Sequence, residues 1–177
     1  MFTHRVSNDI HLKLLGLIDA EELFKLTDSS RDYLREWLPW VDATKSVDDS
    51  KSFIQMAMNQ YDSNNGFQAG IWFNDRLVGC IGFHAIDWAN RKTSIGYWLG
   101  QGFQGHGIMT KATKALVGIA FGEYKLNRVQ IEAAVENHKS RAIPERLGFQ
   151  QEGRIQQNEW LYDHFVDHFV YAILASE

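Results

Sequence analysis

The hydrophobic pattern changes period twice in the middle of the chain. Over Thr93 to Leu99 apolar side chains alternate with other residues, the period-two pattern of a strand. From about residue 107 to 122 they recur every three or four positions, as on one face of a helix: Ile108, Ala112, Ala115, Leu116, Ile119 and Ala120. Alternation returns over Val129 to Val135. The pattern therefore predicts a strand, a helix and a strand in succession.

The same reasoning along the whole chain predicts the element order β-α-α-β-β-β-α-β-α-β-β. Helices are expected over Asp19 to about Leu38, where Pro39 ends the first one, over Val47 to Tyr61, and over 138–147. The remaining strands are expected at His11–Leu15, Phe67–Asn74, Leu77–Ile86, 153–161 and 164–174. Residues 1–177 contain no internal repeat and no proline-rich linker. We therefore expect a single α/β domain built on a mixed sheet.

The composition is that of a globular protein with a small negative charge. The 177 residues include 18 Lys and Arg against 22 Asp and Glu, and the net charge of −4 disfavours a general nucleic-acid-binding protein. Cys80 is the only cysteine, which excludes an intrachain disulfide and a cysteine-rich zinc site. The N-terminus lacks the apolar core of a signal peptide, and no apolar run approaches the roughly 18 residues of a membrane span. We expect a cytoplasmic protein that binds neither nucleic acid nor membrane.

Charge is distributed unevenly along the chain. The stretch from Trp88 to Gly122 contains no Asp or Glu and carries +4, whereas the rest carries −8. Glycines cluster in the same stretch, at Gly96, Gly100, Gly102, Gly105 and Gly107. Because glycine lets the backbone approach a ligand closely, an acid-free glycine cluster predicts a site for an anion.

The glycine loop between the predicted strand and helix has three interpretations. Gly100, Gly102 and Gly105 match the dinucleotide-binding pattern, but only 72 residues follow Gly105, too few for the further crossover units of that fold. The run Gln104 to Met109 instead precedes a helix whose first N–H groups would be free to bind a phosphate. The third interpretation is a glycine-rich surface turn. The acid-free flanks favour phosphate binding.

Two runs of residues resemble conserved motifs of the GCN5-related N-acetyltransferases. Ile95–Leu99 followed by Gln104–Ala112 resembles motif A of that family, and Glu136–Arg141 with Leu147-Gly148-Phe149 resembles motif B of its RimL and RimJ branch, which acetylates the N-termini of ribosomal proteins. Trp37–Trp40 is similar to another element of this branch. Met109 departs from the pattern, which has a small residue there. Together these motifs extend over the whole chain with the spacing of the family.

The resemblance implies a fold and a co-substrate. The fold is the acyl-CoA N-acyltransferase fold, with about seven strands, four helices and a central pair of parallel strands that splay apart. Acetyl-CoA would bind between the splayed strands and at the glycine loop, and no metal is implied. The residues that correspond to its binding site are Tyr97, Trp98, Leu99, Gln104, Gly105, His106, Gly107, Ile108, Met109, Thr110, Asn137 and Ser140.

The resemblance also suggests catalytic groups. Many family members carry a tyrosine seven residues after the asparagine, as the acid for the departing thiolate, but here that place is Pro144. Ser140 is the nearest replacement, with a helix cap as its alternative role, just as Asn137 has helix capping as an alternative. The backbone N–H near Leu99 is expected to bind the thioester oxygen. Glu159 is the preferred carboxylate for proton uptake from the amine, and Glu136 is the second choice.

The expected acceptor is the N-terminal α-amino group of a protein, and the resemblance implies a ribosomal protein. An α-amino group titrates at about 7.7–8.0 and a lysine at about 10.4, so an α-amine needs less help to lose its proton. Trp37 and Trp40 are expected either in the core or as walls of the acceptor site. The alternatives are a small amine such as a polyamine or an amino sugar, and a module that binds acyl-CoA without catalysis. An exposed edge strand also allows a homo-oligomer.

His164 and His168 are the histidine pair that a metal site would use. Both follow an aspartate, and both share one face of the last predicted strand. Four residues along a strand span about 13 Å, which is too far for two ligands of one ion. We expect a structural role for both histidines.

Overall fold

The computed structural model describes residues 2–177, and an eight-stranded sheet runs through it. Its strands are β1 Thr3–Arg5, β2 Ile10–Leu14, β3 Gln68–Phe73, β4 Arg76–Asp87, β5 Lys92–Leu99, β6 Arg128–Ala134, β7 Gln150–Leu161 and β8 His164–Leu174. The order in the sheet is β1-β2-β3-β4-β5-β6-β8-β7. Only β5 and β6 pair in parallel, so the predicted mixed α/β sheet is confirmed. The additional strand is β1, which is too short to show a period of its own.

Five α-helices accompany the sheet in the described chain: α1 Ala20–Ser29, α2 Arg31–Arg35, α3 Val47–Asp62, α4 Ile108–Gly122 and α5 His138–Arg146. The single helix predicted over Asp19 to Leu38 is wrong, because the helix breaks at Ser30. The buried Ser30 hydroxyl accepts a hydrogen bond from the backbone N–H of Gln101 at 3.0 Å, so the break is tied to the loop after β5. No helix of residues 2–177 has the length and hydrophobicity needed to cross a membrane.

The helix α4 supplies much of the core beneath the sheet. Five residues of its predicted apolar stripe are buried, namely Ile108, Ala112, Leu116, Ile119 and Ala120. Burying one leucine or isoleucine side chain stabilises a fold by roughly 1.5–3 kcal/mol. The stripe therefore fixes the rotation of α4 about its axis and, with it, the direction in which its N-terminus points.

The parallel pair at the centre of the sheet separates after a short contact. β5 and β6 are paired only through Lys92–Ser94 and Arg128–Gln130. Beyond this point β5 continues beside β4, and β6 continues beside β8. The edge of β5 that faces β6 is consequently unpaired by any described strand over Ile95–Leu99. The splayed pair expected from the family resemblance is confirmed.

The direction of the backbone groups on this open edge follows from one hydrogen bond. The N–H of Gly100 donates to the carbonyl of Val78 on β4 at 2.7 Å. Because successive N–H groups of a strand point to opposite edges, the N–H of Leu99 points away from β4 and into the gap between β5 and β6.

Gly79 is required for the close approach of β4 to this part of β5. A Cβ at Gly79 would lie 2.3 Å from the carbonyl oxygen of Trp98 and 3.1 Å from the Cα of Leu99. We expect Gly79→Ala to lower the free energy of unfolding by about 1–3 kcal/mol, because backbone atoms have to move. Urea unfolding measures this loss. Gly118→Ala, on the exposed side of α4 with no atom within 4 Å, is the control, and equal stability of the two variants would contradict the prediction.

Candidate active site

Two cavities meet at the gap between β5 and β6. One, here called the loop cavity, has a volume of about 740 Å³ and opens beside the glycine loop. The other, the carboxylate cavity, has a volume of about 610 Å³ and contains Glu132 and Glu159. Six residues line both cavities: Trp37, Leu38, Tyr97, Trp98, Asn137 and Ser140. The two cavities therefore share one wall at this point in the sheet.

The N-terminus of α4 opens into the loop cavity. Gly107 precedes the helix in the left-handed conformation, with φ of 70°, and the first turn contains no acidic residue. The first N–H groups of a helix lack intrahelical partners and carry a partial positive charge, which suits a phosphate group. Gln104 braces the loop, since its side chain accepts from the N–H of Gly102 at 3.0 Å and donates to the carbonyl of Gly100 at 2.9 Å.

Most of the residues expected to bind acetyl-CoA line the loop cavity. They are Tyr97, Trp98, Leu99, Gln104, Gly105, Gly107, Ile108, Met109, Thr110, Asn137 and Ser140. His106 is not among them, because its ring packs against Phe73 with centroids 5.5 Å apart. Met109, the departure from the motif, is largely buried in the main core and touches the cavity at its margin.

The wall shared by the two cavities carries two hydroxyl groups. The hydroxyl of Tyr97 donates to the backbone carbonyl of Ser140 at 2.9 Å, and Ser140 Oγ donates to Tyr97 Oη at 3.4 Å. Burial raises the pKa of Tyr97, so this phenol stays neutral. The wall thus presents two uncharged hydroxyl groups, bonded to each other, at the junction.

At the start of α5 the helix cap is Asn137, which leaves the Ser140 hydroxyl without a capping role. Asn137 caps this helix, because its side-chain oxygen accepts from the N–H of Ser140 at 3.3 Å. Asn137 therefore has the capping role that its sequence position allowed. Ser140 is the third residue of the helix rather than its cap, so the capping alternative for Ser140 is wrong. Pro144, in the place of the family tyrosine, is buried one turn further along.

The carboxylate cavity is acidic and lined with aromatic rings. Asp49, Glu132 and Glu159 lie on its wall, and no lysine or arginine of residues 2–177 does. Trp40 faces Trp98 with ring centroids 5.7 Å apart. Trp37 and Trp40, for which both the core and the acceptor site were open, are half-buried and line this cavity. Its charge and walls suit a cationic group.

The two candidate bases lie in different cavities. Glu159 lies in the carboxylate cavity, where burial raises its pKa, the nearby His168 opposes this rise and the charge of Glu132 adds to it. Glu136 lines the loop cavity instead, highly exposed and 3.6 Å from the imidazole Nε2 of His138. A half-buried carboxylate with a raised pKa is a better proton acceptor than an ordinary glutamate.

Sequence reasoning missed the neighbours of Glu159. His168 Nε2 lies 3.9 Å from Glu159 Oε1, and His84 and Glu132 lie on the same cavity wall. The strand β7 contains a bulge here: three of its residues separate Ile155 from Glu159, where one residue of β8 separates their partners. A bulge breaks the alternation on which sequence analysis relies, so the pattern contained no signal for these contacts.

The fold and the two cavities define a class of enzyme. A helix start with free N–H groups beside a parallel pair that splays open suits an acyl-CoA thioester, and the carboxylate cavity meets the loop cavity at this point. Residues 10–150 match the family model described as "Acetyltransferase (GNAT) domain". The chain belongs to the GNAT acetyltransferases.

Similar proteins agree with this assignment. The chain is 39% identical to "Putative ribosomal N-acetyltransferase YdaF" of Bacillus subtilis (strain 168), over 100% of this chain and 97% of the relative. RimL, a ribosomal L7/L12 alpha-N-protein acetyltransferase solved with coenzyme A, superposes with a TM-score of 0.94 at 26% identity, covering 98% of both chains. The microcin C7 self immunity acetyltransferase MccE, solved with acetyl-CoA and AMP, superposes with a TM-score of 0.91 at 32% identity, covering 96% of this chain and 94% of MccE.

Proposed function

We propose that this enzyme transfers the acetyl group of acetyl-CoA to the N-terminal α-amino group of a protein, with ribosomal proteins as the expected acceptors. One observation supports this above all: an acidic, aromatic cavity containing Glu159 meets the loop cavity at Ser140. The names of YdaF and RimL support the same class of acceptor.

The residues of the loop cavity fit acetyl-CoA, which would supply an activated acetyl thioester. The free N–H groups at the start of α4, reached over Gly105 and Gly107, would hold its pyrophosphate. Lys139 and Arg146 line the same cavity and add positive charge. The unpaired edge of β5 offers backbone donors and acceptors to the amide groups of the pantetheine arm, and the Leu99 N–H is directed where it can donate to the thioester oxygen.

Two side chains would manage the protons. Glu159 would take a proton from the acceptor ammonium, directly or through water. Because its pKa is raised, it lies closer to the pKa of an α-amine, about 7.7–8.0, and the transfer is less unfavourable. Ser140, on the wall that both cavities share, would give its hydroxyl proton to the departing thiolate and take up a proton from solvent in its place. The neutral Tyr97 holds the start of α5 in place through the carbonyl of Ser140.

An assay with three kinds of amine tests the proposal. The purified enzyme is incubated with acetyl-CoA and a peptide with a free N-terminus, the same peptide with a blocked N-terminus and an internal lysine, or spermidine or glucosamine. Mass spectrometry should show acetylation of the free N-terminus only. Preference for spermidine or glucosamine would show that the acceptor is a small amine. The complex of MccE with AMP is a reason to test this alternative. Binding of acetyl-CoA without acetylation of any acceptor would favour a non-catalytic module.

Trp40 is expected to contribute to acceptor binding alone, because it lines only the carboxylate cavity. Trp40→Ala should raise the KM for the acceptor about fivefold, the loss of roughly 1 kcal/mol of cation–aromatic contact, with the Kd for acetyl-CoA unchanged. Steady-state kinetics and calorimetry measure the two constants. Trp88→Ala is the control, since Trp88 is 42% exposed and bonded to the carbonyl of Asn64 away from both cavities. A rise in the acetyl-CoA Kd would contradict this role.

A further inference from the structure

Three side chains, Glu132, Asn158 and His168, form a polar network beside the carboxylate cavity, and Glu159 lies next to its imidazole ring. Asn158 Nδ2 lies 3.3 Å from Glu132 Oε2 and 2.8 Å from His168 Nδ1. On the other side of the same ring, His168 Nε2 lies 3.9 Å from Glu159 Oε1. The imidazole is mostly buried, with 12% of its side chain exposed. The network thus places an imidazole, held through one amide by a second carboxylate, beside the expected base.

The donors and acceptors in this network follow from chemistry. An ionised carboxylate only accepts hydrogen bonds, so the atom of Asn158 beside Glu132 has to be the NH₂ group. The same NH₂ group then donates to His168 Nδ1, which accepts it only when that nitrogen carries no proton. The neutral ring consequently carries its proton on Nε2, the nitrogen that faces Glu159.

The bulge in β7 holds this arrangement in place. Neighbouring residues of a regular strand point to opposite faces, yet Asn158 and Glu159 both reach His168. The bulge is anchored by Asp167, which accepts from the N–H of Gln157 at 2.7 Å and from Arg154 Nη2 at 2.6 Å. The contacts of Asp167 and the two contacts to His168 therefore give the bulge a defined geometry.

We propose that His168 is a positioning residue for the base Glu159, and that Asn158 sets the His168 tautomer whose N–H faces the carboxylate. This rests on the proposed function in so far as Glu159 removes the acceptor's proton. In that step an N–H bond of the ammonium breaks and an O–H bond forms on Glu159, and the proton later leaves to solvent. The directed N–H of His168 stabilises the carboxylate before the transfer and so keeps the base ionised at lower pH.

The other charged and titratable groups around His168 have partners or positions of their own. Glu132 on β6 accepts from Asn158, and Asp167, the neighbour of His168 on β8, is paired with Arg154 of β7. His84 of β4 lines the cavity, where the partial loss of water lowers its pKa, with the charge of Glu132 opposing the fall. Among these groups only His168 directs an N–H at Glu159, so the effect can be isolated at one side chain.

The test compares two variants of His168 across pH. His168→Leu keeps the ring's bulk over Glu159 but removes the donor, whereas His168→Gln keeps an N–H near the position of Nε2. We expect the acidic limb of the kcat/KM profile to move about one pH unit upward in His168→Leu, a tenfold loss below the limb and little loss above it. His168→Gln should restore most of that shift. His164→Gln, at the exposed turn of the same hairpin, is the control.

Nitrogen-15 NMR of the His168 ring tests the tautomer without any acetyl transfer. The wild-type neutral ring should carry its proton on Nε2, and Asn158→Ala should populate both tautomers. A proton on Nδ1 in the wild type would overturn the proposal. A pH profile that His168→Leu lowers evenly, or that His168→Leu and His168→Gln change alike, would also overturn it, because a purely structural role predicts that result. Should the wild type acetylate no N-terminus, the proposed function fails while the NMR result stands.

Discussion

Replacing Glu159 with glutamine is expected to lower kcat/KM for acetyl transfer at pH 7 by about a hundredfold or more, the usual contribution of a general base. Glutamine keeps the shape of the side chain but cannot accept the acceptor's proton. The wild-type profile should lose activity as the pH falls, because protonation disables the base. Since burial raises the pKa of Glu159, this acidic limb should lie above the ordinary glutamate value of 4.5.

Initial rates of peptide acetylation, followed by mass spectrometry from pH 5 to 9, measure both effects. Glu123→Gln, an exposed residue that follows α4, is the matched control and should keep full activity. Glu136→Gln separates the two candidate bases. A large loss in Glu136→Gln with a small one in Glu159→Gln would transfer the role to the loop cavity, and full activity in both variants would show that the α-amine needs no carboxylate.

Gly107→Val is expected to weaken acetyl-CoA binding about tenfold or more. Gly107 has φ of 70°, a conformation that costs a β-branched residue about 1–3 kcal/mol. The strain would be relieved by moving the first turn of α4, and with it the N–H groups that are expected to hold the pyrophosphate. Titration calorimetry with acetyl-CoA measures the change in Kd.

Gly118→Val is the matched control, because it makes the same change in the same helix. Gly118 is exposed within α4, and a Cβ there meets no atom within 4 Å. Its acetyl-CoA Kd should equal that of the wild type, and circular dichroism should show both variants folded. Unchanged binding in a folded Gly107→Val would remove the start of α4 from the proposed site.

Most features of the loop cavity could be predicted from the sequence, because they depend on residues that are close together in the chain. The helical period of α4, the glycines before it and the absence of acids in its first turn lie within one continuous stretch. Backbone N–H groups at a helix start have their direction whatever the rest of the fold does. The splay between β5 and β6 came from the family resemblance, since hydrophobic alternation predicts strands but not where a pair separates.

The break at Ser30 shows where local patterns fail. Residues 19–38 are compatible with one helix, and the two helices observed there are separated by a contact with Gln101, some seventy residues later in the chain. The break matters for function because Trp37 and Leu38, which follow α2, line both cavities. A continuous helix would carry them elsewhere.

From the order of its amino acids alone, this chain specified its mixed α/β class, the helix start that suits a phosphate, and the candidates Ser140 and Glu159. Each of these depends on periodicity, on neighbours in the chain or on a motif. Folding in three dimensions placed Glu159 in the carboxylate cavity and Glu136 in the loop cavity. It also brought His168 within 3.9 Å of Glu159 and joined His168 to Glu132 through Asn158. The physical reason is that the charge state of a carboxylate depends on its burial and on groups that folding brings near it. For Glu159 these contacts depend on the bulge in β7, which interrupts the alternation of side chains along the strand.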